Sequence, residues 1–427
     1  MLTPIRLLQF FHLSRHFSVL FYAFFLPFLG FSKDEIGSFE LLIVLAFSFS
    51  FFWVSGLIQG LMHVYPSLLP AQKKKILFQT FILFSLLSAI SIVIIIAGIF
   101  FEINGFQYYG SIPFIWVFLL FFFINTPSQL LEYVLFLEDK INFLKILCLL
   151  SFPIQILFFS IPLYFSKDIG MGVAGLMIWA LIRFIFLFFL SFFSILSFDG
   201  NLLIKLIKYS FPLIFSALVG GLATVVNAVM VQFYYNGNAA IFAIYRYGAR
   251  ELPFVNGLFE GLGLGIVPSL VKNLQDGLIS LKKNTLLILH LIFPISILLM
   301  IYIDAWFPFI FSKQFQDSIP VFKIFLFLII LRIIPTNPVI NALGKAKLLA
   351  IIGLLELIIH ISCSFAGLKW FGLTGMAMAT CVAYSFEKFS GLIILWRSKG
   401  ILLNDLIPVR WWLFYSILLI GSYFIKC

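Results

Sequence analysis

The chain has 427 residues, of which 63% are hydrophobic and 11% charged, with a formal net charge of +11 and a mean hydropathy of +1.13. Soluble domains carry about a quarter charged residues, so this composition excludes a soluble enzyme or binding module and implies a polytopic membrane protein. Backbone groups in hydrocarbon must be satisfied within the chain, which leaves helices or a closed barrel; continuous apolar runs of about 20 residues, rather than short alternating ones, exclude the barrel.

Taken in order, apolar spans are predicted at 11–31, 39–60, 76–101, 112–136, 142–165 and 170–197, then at 205–233, 239–270, 284–304, 318–338, 348–368 and 371–396. A thirteenth follows at 409–425. Arg6 and Arg15 flank or enter the first run, and no small-residue cleavage site follows it, so it reads as a span and not a signal peptide. Cys148, Cys363 and Cys381 lie inside apolar segments and Cys427 is terminal. Without a CxxC or a Cys/His cluster, neither a disulfide framework nor a metal site is indicated, and His63 and His360 stand alone. There is no Walker A sequence and no loop long enough for a soluble catalytic domain, so no cofactor is expected.

An internal repeat organises the chain. Gly56–Leu69 reads GLIQGLMHVYPSLL, and Gly257–Leu270 reads GLFEGLGLGIVPSL. Gly172-Val-Ala-Gly175 opens the sixth span, and Gly372-Leu-Thr-Gly375 opens the twelfth. Equivalent spans are therefore 2 and 8, and 6 and 12. Six spans, an even number, separate them, so the halves share one orientation about an axis along the membrane normal. The predicted fold is an all-α membrane protein of about 12–14 transmembrane helices in two parallel-repeat six-helix bundles. The bundles cover 1–200 and 201–397, with an additional helix in 398–427.

Lysine and arginine set the orientation. With the N-terminus inside, cytoplasmic segments hold Arg6, Arg15, Lys73, Lys74, Lys75, Lys140, Lys145, Lys205, Lys208, Lys272, Lys282, Lys283, Arg332, Lys345, Lys347, Arg397, Lys399 and Arg410. The outside holds Lys33, Lys167, Lys313, Lys323, Lys369 and Lys426. This bias explains most of the positive charge through anionic membrane lipids, without nucleic acid as a partner.

Arg183, Arg246, Arg250 and Lys388 fall inside spans, as do the acids Glu251, Glu260, Glu356 and Glu387. Charge at the bilayer centre costs at least about 2.5 kcal/mol, so such groups face a cavity, a partner or the interface. Arg246 and Arg250 are four apart and are expected to share one helix face. They either snorkel to the outer interface or meet an anion. Arg15 reads as an inner-end anchor or as a further anion contact. Glu356 and Glu387 read as halves of structural ion pairs or as ion-coupling sites. The glycines of spans 2 and 8 fit close helix packing.

The short loops, the two halves, and the run IFAIYRYGARELPFVNGLFEGLGLGIVPSL resemble the polysaccharide-biosynthesis (O-antigen type) flippases. These belong to the superfamily that also holds lipid II flippases and multidrug exporters. Ser32–Leu42, Asn341–Ile361 and Phe371–Thr380 resemble other segments of that family. The resemblance implies a V-shaped pair of bundles, alternating access, and a cation-lined cavity for an undecaprenyl-diphosphate-linked oligosaccharide. By position it makes Arg15, Arg246 and Arg250 the candidates for the diphosphate. It implies the bacterial cytoplasmic membrane, a lipid-linked oligosaccharide as partner, room for other glycan-assembly proteins, and no bond-making step. A multidrug cation antiporter of the same superfamily is the first alternative, and a membrane enzyme of glycan assembly the second. The thirteenth span departs from the usual twelve or fourteen.

The charge bias generates a direct expectation. In intact cells, an impermeant thiol reagent should label Lys167→Cys and not Lys74→Cys; the opposite pattern would overturn the topology.

Overall fold

A computed structural model describes residues 4–192, 198–250 and 266–425, without the side chains of 4–10, 12, 13, 15, 16, 191, 192, 223, 224 and 346. The described residues are predominantly helical and contain no strand. Nine of their helices are long and apolar enough to cross a membrane, and three shorter apolar helices accompany them. The chain divides into two compact units, Met1–Gly221 and Leu222–Cys427.

The first unit is built from α1 (Pro4–Phe28), α2 (Lys33–Val64), α3 (Pro70–Phe100), α4 (Ile115–Ser128), α5 (Leu131–Leu137), α6 (Ile141–Ser166), α7 (Ile169–Phe192) and the start of α8 (Gly200–Tyr234). The sequence starts and stops these helices locally. Ser32 caps α2: its hydroxyl accepts from Glu35 N–H, while the Glu35 carboxylate accepts from Ser32 N–H at 2.9 Å. That reciprocal box satisfies donors a helix end would otherwise leave bare. Pro70 opens α3 at a position where its missing N–H costs nothing. The core joins Trp53, Leu57 and Leu61 of α2 to Ile76 and Phe84 of α3 and to Leu130, Leu135 and Leu144. Large apolar side chains also face outward, among them Phe143, Phe189, Ile94 and Leu157, as a lipid-facing surface requires.

In the second unit, α8 continues into α9 (Ala239–Gly248), followed by α10 (Leu274–Ile301), α11 (Ile303–Phe311), α12 (Ile319–Arg332), α13 (Thr336–Ala342), α14 (Ala346–Lys399) and α15 (Val409–Ser422). The stretch predicted as the eighth span is described only over 239–250 and 266–270, so Glu251, Glu260 and most of the Gly257–Leu270 repeat lie outside the described residues.

The eleventh and twelfth predicted spans are the two arms of α14. Gly372, at φ 60° and ψ −139°, breaks the helix between them. His360 Nε2 lies 3.3 Å from Thr380 Oγ1. Twenty residues along a straight helix would separate them by about 30 Å, so the chain reverses at this glycine. The reversal is tight because Gly367 and Gly375 meet backbone to backbone, where a Cβ on either would collide. The repeat partner of Gly375 behaves alike: a Cβ on Gly175 would collide with the Phe158 carbonyl, which sets the approach of α7 to α6.

Overpacking a close contact costs about 1–3 kcal/mol and more against an immobile backbone. Gly175→Leu should therefore lower the melting midpoint in detergent by several degrees, whereas Gly353→Leu, with nothing within 4 Å of its Cβ, should not. Equal midpoints for the two variants would contradict the packing.

Candidate functional site: a polar cavity in the first unit

The predicted fourth span is not one helix. Pro127 removes a backbone donor inside α4, and the chain leaves helical form between Ser128 and Leu131. A helix end in the membrane carries bare carbonyls, and irregular backbone survives there only where protein or a cavity serves it. Arg183 of α7 provides the service. Its Nη2 donates to the Ser128 carbonyl at 3.3 Å and to Glu132 Oε1. Glu132 and Arg183 are 1% and 6% exposed, so this is a buried ion pair at the break.

The pair lies in the wall of a cavity of about 830 Å³, formed by α1, α2, α4, α5, α6 and α7. From α1 it takes Phe11, Ser14, Ser18 and Tyr22, spaced by three or four residues along one helix face. By register, position 15 belongs to that face; the Arg15 side chain lies outside the described residues.

Among the described side chains, the wall's polar groups are uncharged apart from the pair. Ser14 and Ser50 donate their hydroxyl hydrogens to the carbonyls of Phe11 and Ala46, at 2.9 and 2.7 Å. Their oxygens remain acceptors. Gln155 Nε2 donates to Tyr22 Oη at 3.0 Å, which leaves the Tyr22 hydroxyl hydrogen to donate. Gln59 Nε2 donates to Ser55 Oγ at 3.0 Å. The Asn125 amide lines the space without a hydrogen bond to the described residues. Phe122, Tyr133, Phe152 and Trp179 supply rings between these amides and hydroxyls. Donors, acceptors and aromatic faces together suit a ligand rich in hydroxyl and amide groups.

The second unit breaks its equivalent span in the same manner. The chain leaves helical form between Arg332 and Thr336, at Pro335. Trp412 of α15 donates to the Ile330 carbonyl at 2.9 Å, so the thirteenth span serves the break. Asn337 Nδ2 donates to Glu387 Oε1 at 2.6 Å, and Lys388 Nζ lies 3.4 Å from the same carboxylate. Glu387 is therefore held by two partners. Glu356 makes no hydrogen bond or ion pair with the described residues. Among the described residues no group of three His, Cys, Asp or Glu side chains could hold a metal.

Arg246 lies in the last turn of α9, half-buried. The helix ends at Gly248, which packs on the Ser318 carbonyl and Val321. Arg250 follows the helix end, so the shared helix face expected of Arg246 and Arg250 does not form. Its guanidinium instead sits 4.8 Å from the Tyr247 ring, which stacks on Phe315 at 3.8 Å. The sequence reading also missed Glu132. The signal was present: the run Asn125-Thr-Pro-Ser-Gln129, with Glu132 three residues on, interrupts an otherwise apolar span.

Solved structures share this fold. The "Lipid II flippase MurJ, inward closed conformation" is similar over 97% of this chain and 91% of its own, at 17% identity and a TM-score of 0.68. An inward-facing multidrug resistance MATE family transporter of the MOP superfamily matches over 99% and 96%, at 13% identity and 0.60. The chain has the fold of the MOP-superfamily transporters. A eukaryotic MATE transporter, AtDTX14, shares the MOP fold over 98% of this chain and 99% of its own, at 11% identity and 0.60. No family model and no curated protein matches the sequence. The multi-pass helical architecture is that expected from the sequence, and the fold is that of the superfamily the sequence resembles.

Removing one member of a buried ion pair costs about 3–5 kcal/mol, whereas replacing both by apolar groups is often neutral. Arg183→Met should therefore destabilise the protein strongly in detergent melts, and Arg183→Met with Glu132→Leu should recover most of the loss. A double variant as unstable as the single one would contradict the pairing.

Proposed function

We propose that the protein is a flippase that moves an undecaprenyl-diphosphate-linked oligosaccharide, an O-antigen, capsule or exopolysaccharide repeat unit, across the bacterial cytoplasmic membrane by alternating access. The observation that carries the reading is the first-unit cavity. Its neutral amides, hydroxyls and rings match a sugar, and the carboxylate among its described residues, Glu132, is paired with Arg183. A sugar–diphosphate head group cannot enter hydrocarbon without losing its water, and such a wall replaces that water with fixed partners. On the family resemblance, Arg15, Arg246 and Arg250 are the candidates for the diphosphate, since guanidinium forks suit phosphate oxygens. No covalent step is part of the reading.

A second reading is a multidrug cation antiporter, favoured by the aromatic wall and by the presence of a cavity acid, Glu132. Its carboxylate would have to be released by Arg183. The two readings separate in liposomes containing the purified protein. Flipping of a fluorescent undecaprenyl-diphosphate disaccharide, read by its exposure to an external quencher, supports the first; ethidium transport without flipping supports the second.

The arginines give the mutational expectation. Arg250→Ala should abolish glycan export at normal abundance in the membrane. Lys should restore it only partly, because a point charge lacks the fork, and Glu should be worse than Ala. Export by Arg250→Glu at the wild-type level would remove Arg250 from the binding site.

A further inference from the structure

Three polar groups in the wall of the first-unit cavity keep hydrogens or lone pairs that the described residues do not use. The carboxamide of Asn125, half-buried in the last turn of α4, makes no hydrogen bond to them. Trp179 and Arg183 of α7 also line the space. The Nε1–H of Trp179 and the Nε–H of Arg183 are buried donors without a partner among the described residues. Arg183 as a whole is 6% exposed, and its Nη2 is taken up by the Ser128 carbonyl and Glu132. Folded proteins rarely leave buried donors orphaned, so two of them in one cavity wall call for an acceptor that a ligand brings.

Charge and placement narrow the chemistry of that ligand. Leu176, Trp179 and Arg183 fall at i, i+3 and i+7 on one face of α7, and all three line the cavity. α4, which carries Asn125, packs along α7. Glu132 already neutralises Arg183, so a carboxylate or phosphate here would bring a second anion to one cation. The acceptor that fits is neutral. An amide oxygen has two lone pairs and accepts from two donors at once, while the amide N–H needs an acceptor of its own, which Asn125 Oδ1 offers. In a trans amide the N–H and the C=O point opposite ways, so one group can turn its hydrogen to α4 and its oxygen to α7. The methyl of an acetamido group then needs apolar neighbours, and Phe122 and Leu176, 4% and 5% exposed, are both in the wall.

We propose that Asn125, Trp179 and Arg183 form a subsite for the acetamido group of an amino sugar, and that they select the saccharide by it. The inference rests on the reading that the cavity receives a saccharide, and adds which chemical class of sugar enters. A plain hexose presents a hydroxyl in place of the amide and leaves part of the donor set bare. A hexuronate adds an uncompensated charge. Sites built from hydrogen-bonding groups discriminate strongly against an analogue that leaves those groups unpaired.

The test titrates the purified protein in nanodiscs with three undecaprenyl-diphosphate monosaccharides, which carry N-acetylglucosamine, glucose or glucuronate. Wild type should bind the acetamido compound more tightly than the glucose compound by about tenfold, the worth of one net hydrogen bond. In Asn125→Leu that ratio should fall to about one. The indole N–H signal of Trp179, ¹⁵N-labelled and identified by its loss in Trp179→Phe, should move with the acetamido compound and not with the glucose compound. If Asn125→Leu fails to fold, the wild-type ratio and the Trp179 signal decide by themselves. Equal affinities for the acetamido and glucose compounds, tighter binding of the glucuronate, or a Trp179 signal that moves alike with all three overturns the subsite and leaves the saccharide reading standing. A protein that binds none of the three overturns the saccharide reading itself.

Discussion

A carbonyl at membrane depth must find a donor, and the arrangement of the first unit follows from one such carbonyl. Pro127 breaks the fourth span and exposes the helix end at Ser128. Lipid offers no hydrogen-bond donor, so Arg183 of α7 crosses to the break. A lone guanidinium there would be costly, so Glu132, just beyond the break, neutralises it. Asn125 and Gln129, on either side of the interruption, line the cavity. Cavity and ion pair thus meet at one break in an apolar span.

The second unit solves the corresponding problem with different residues. Its break at Pro335 is served by the indole of Trp412, and Asn337 at the break binds Glu387 on the facing helix. The additional thirteenth helix, which stands outside the internal repeat, thereby gains a structural task. The polar residues differ at the two breaks, whereas glycines at the repeat-related positions Gly175 and Gly375 both meet a neighbouring backbone closely.

Much of the fold was legible because membrane spans are written in long runs. Apolar length gave the helices, and the Gly-x-x-Gly echo marked the crossings at α6–α7 and within α14. The capping box at Ser32 likewise stands in the sequence as Ser-x-x-Glu. The site was less legible. Glu132 hides among leucines and phenylalanines, and its pairing with Arg183 joins residues about 50 positions apart, which no local pattern encodes. The expected alignment of Arg246 with Arg250 failed for a local reason: a helix face was inferred across Gly248, where the chain stops being helical. His360 stood alone in the sequence, since its partner Thr380, which also accepts from Asn227, becomes its neighbour only after the chain reverses at Gly372. Spacing alone reveals pairs within a helix and misses those that a reversal or a bundle brings together.

The central claim is that the first-unit cavity receives a saccharide head group. Its most direct test is photo-crosslinking with a benzophenone amino acid at Phe122, in the cavity wall, and at Phe165, 81% exposed on the outer surface. Membranes would contain a radiolabelled undecaprenyl-diphosphate oligosaccharide, with the unlabelled compound as competitor. The account predicts a competable, glycan-bearing adduct at Phe122 and far less at Phe165. Equal adducts at both positions, or none at Phe122, would contradict it.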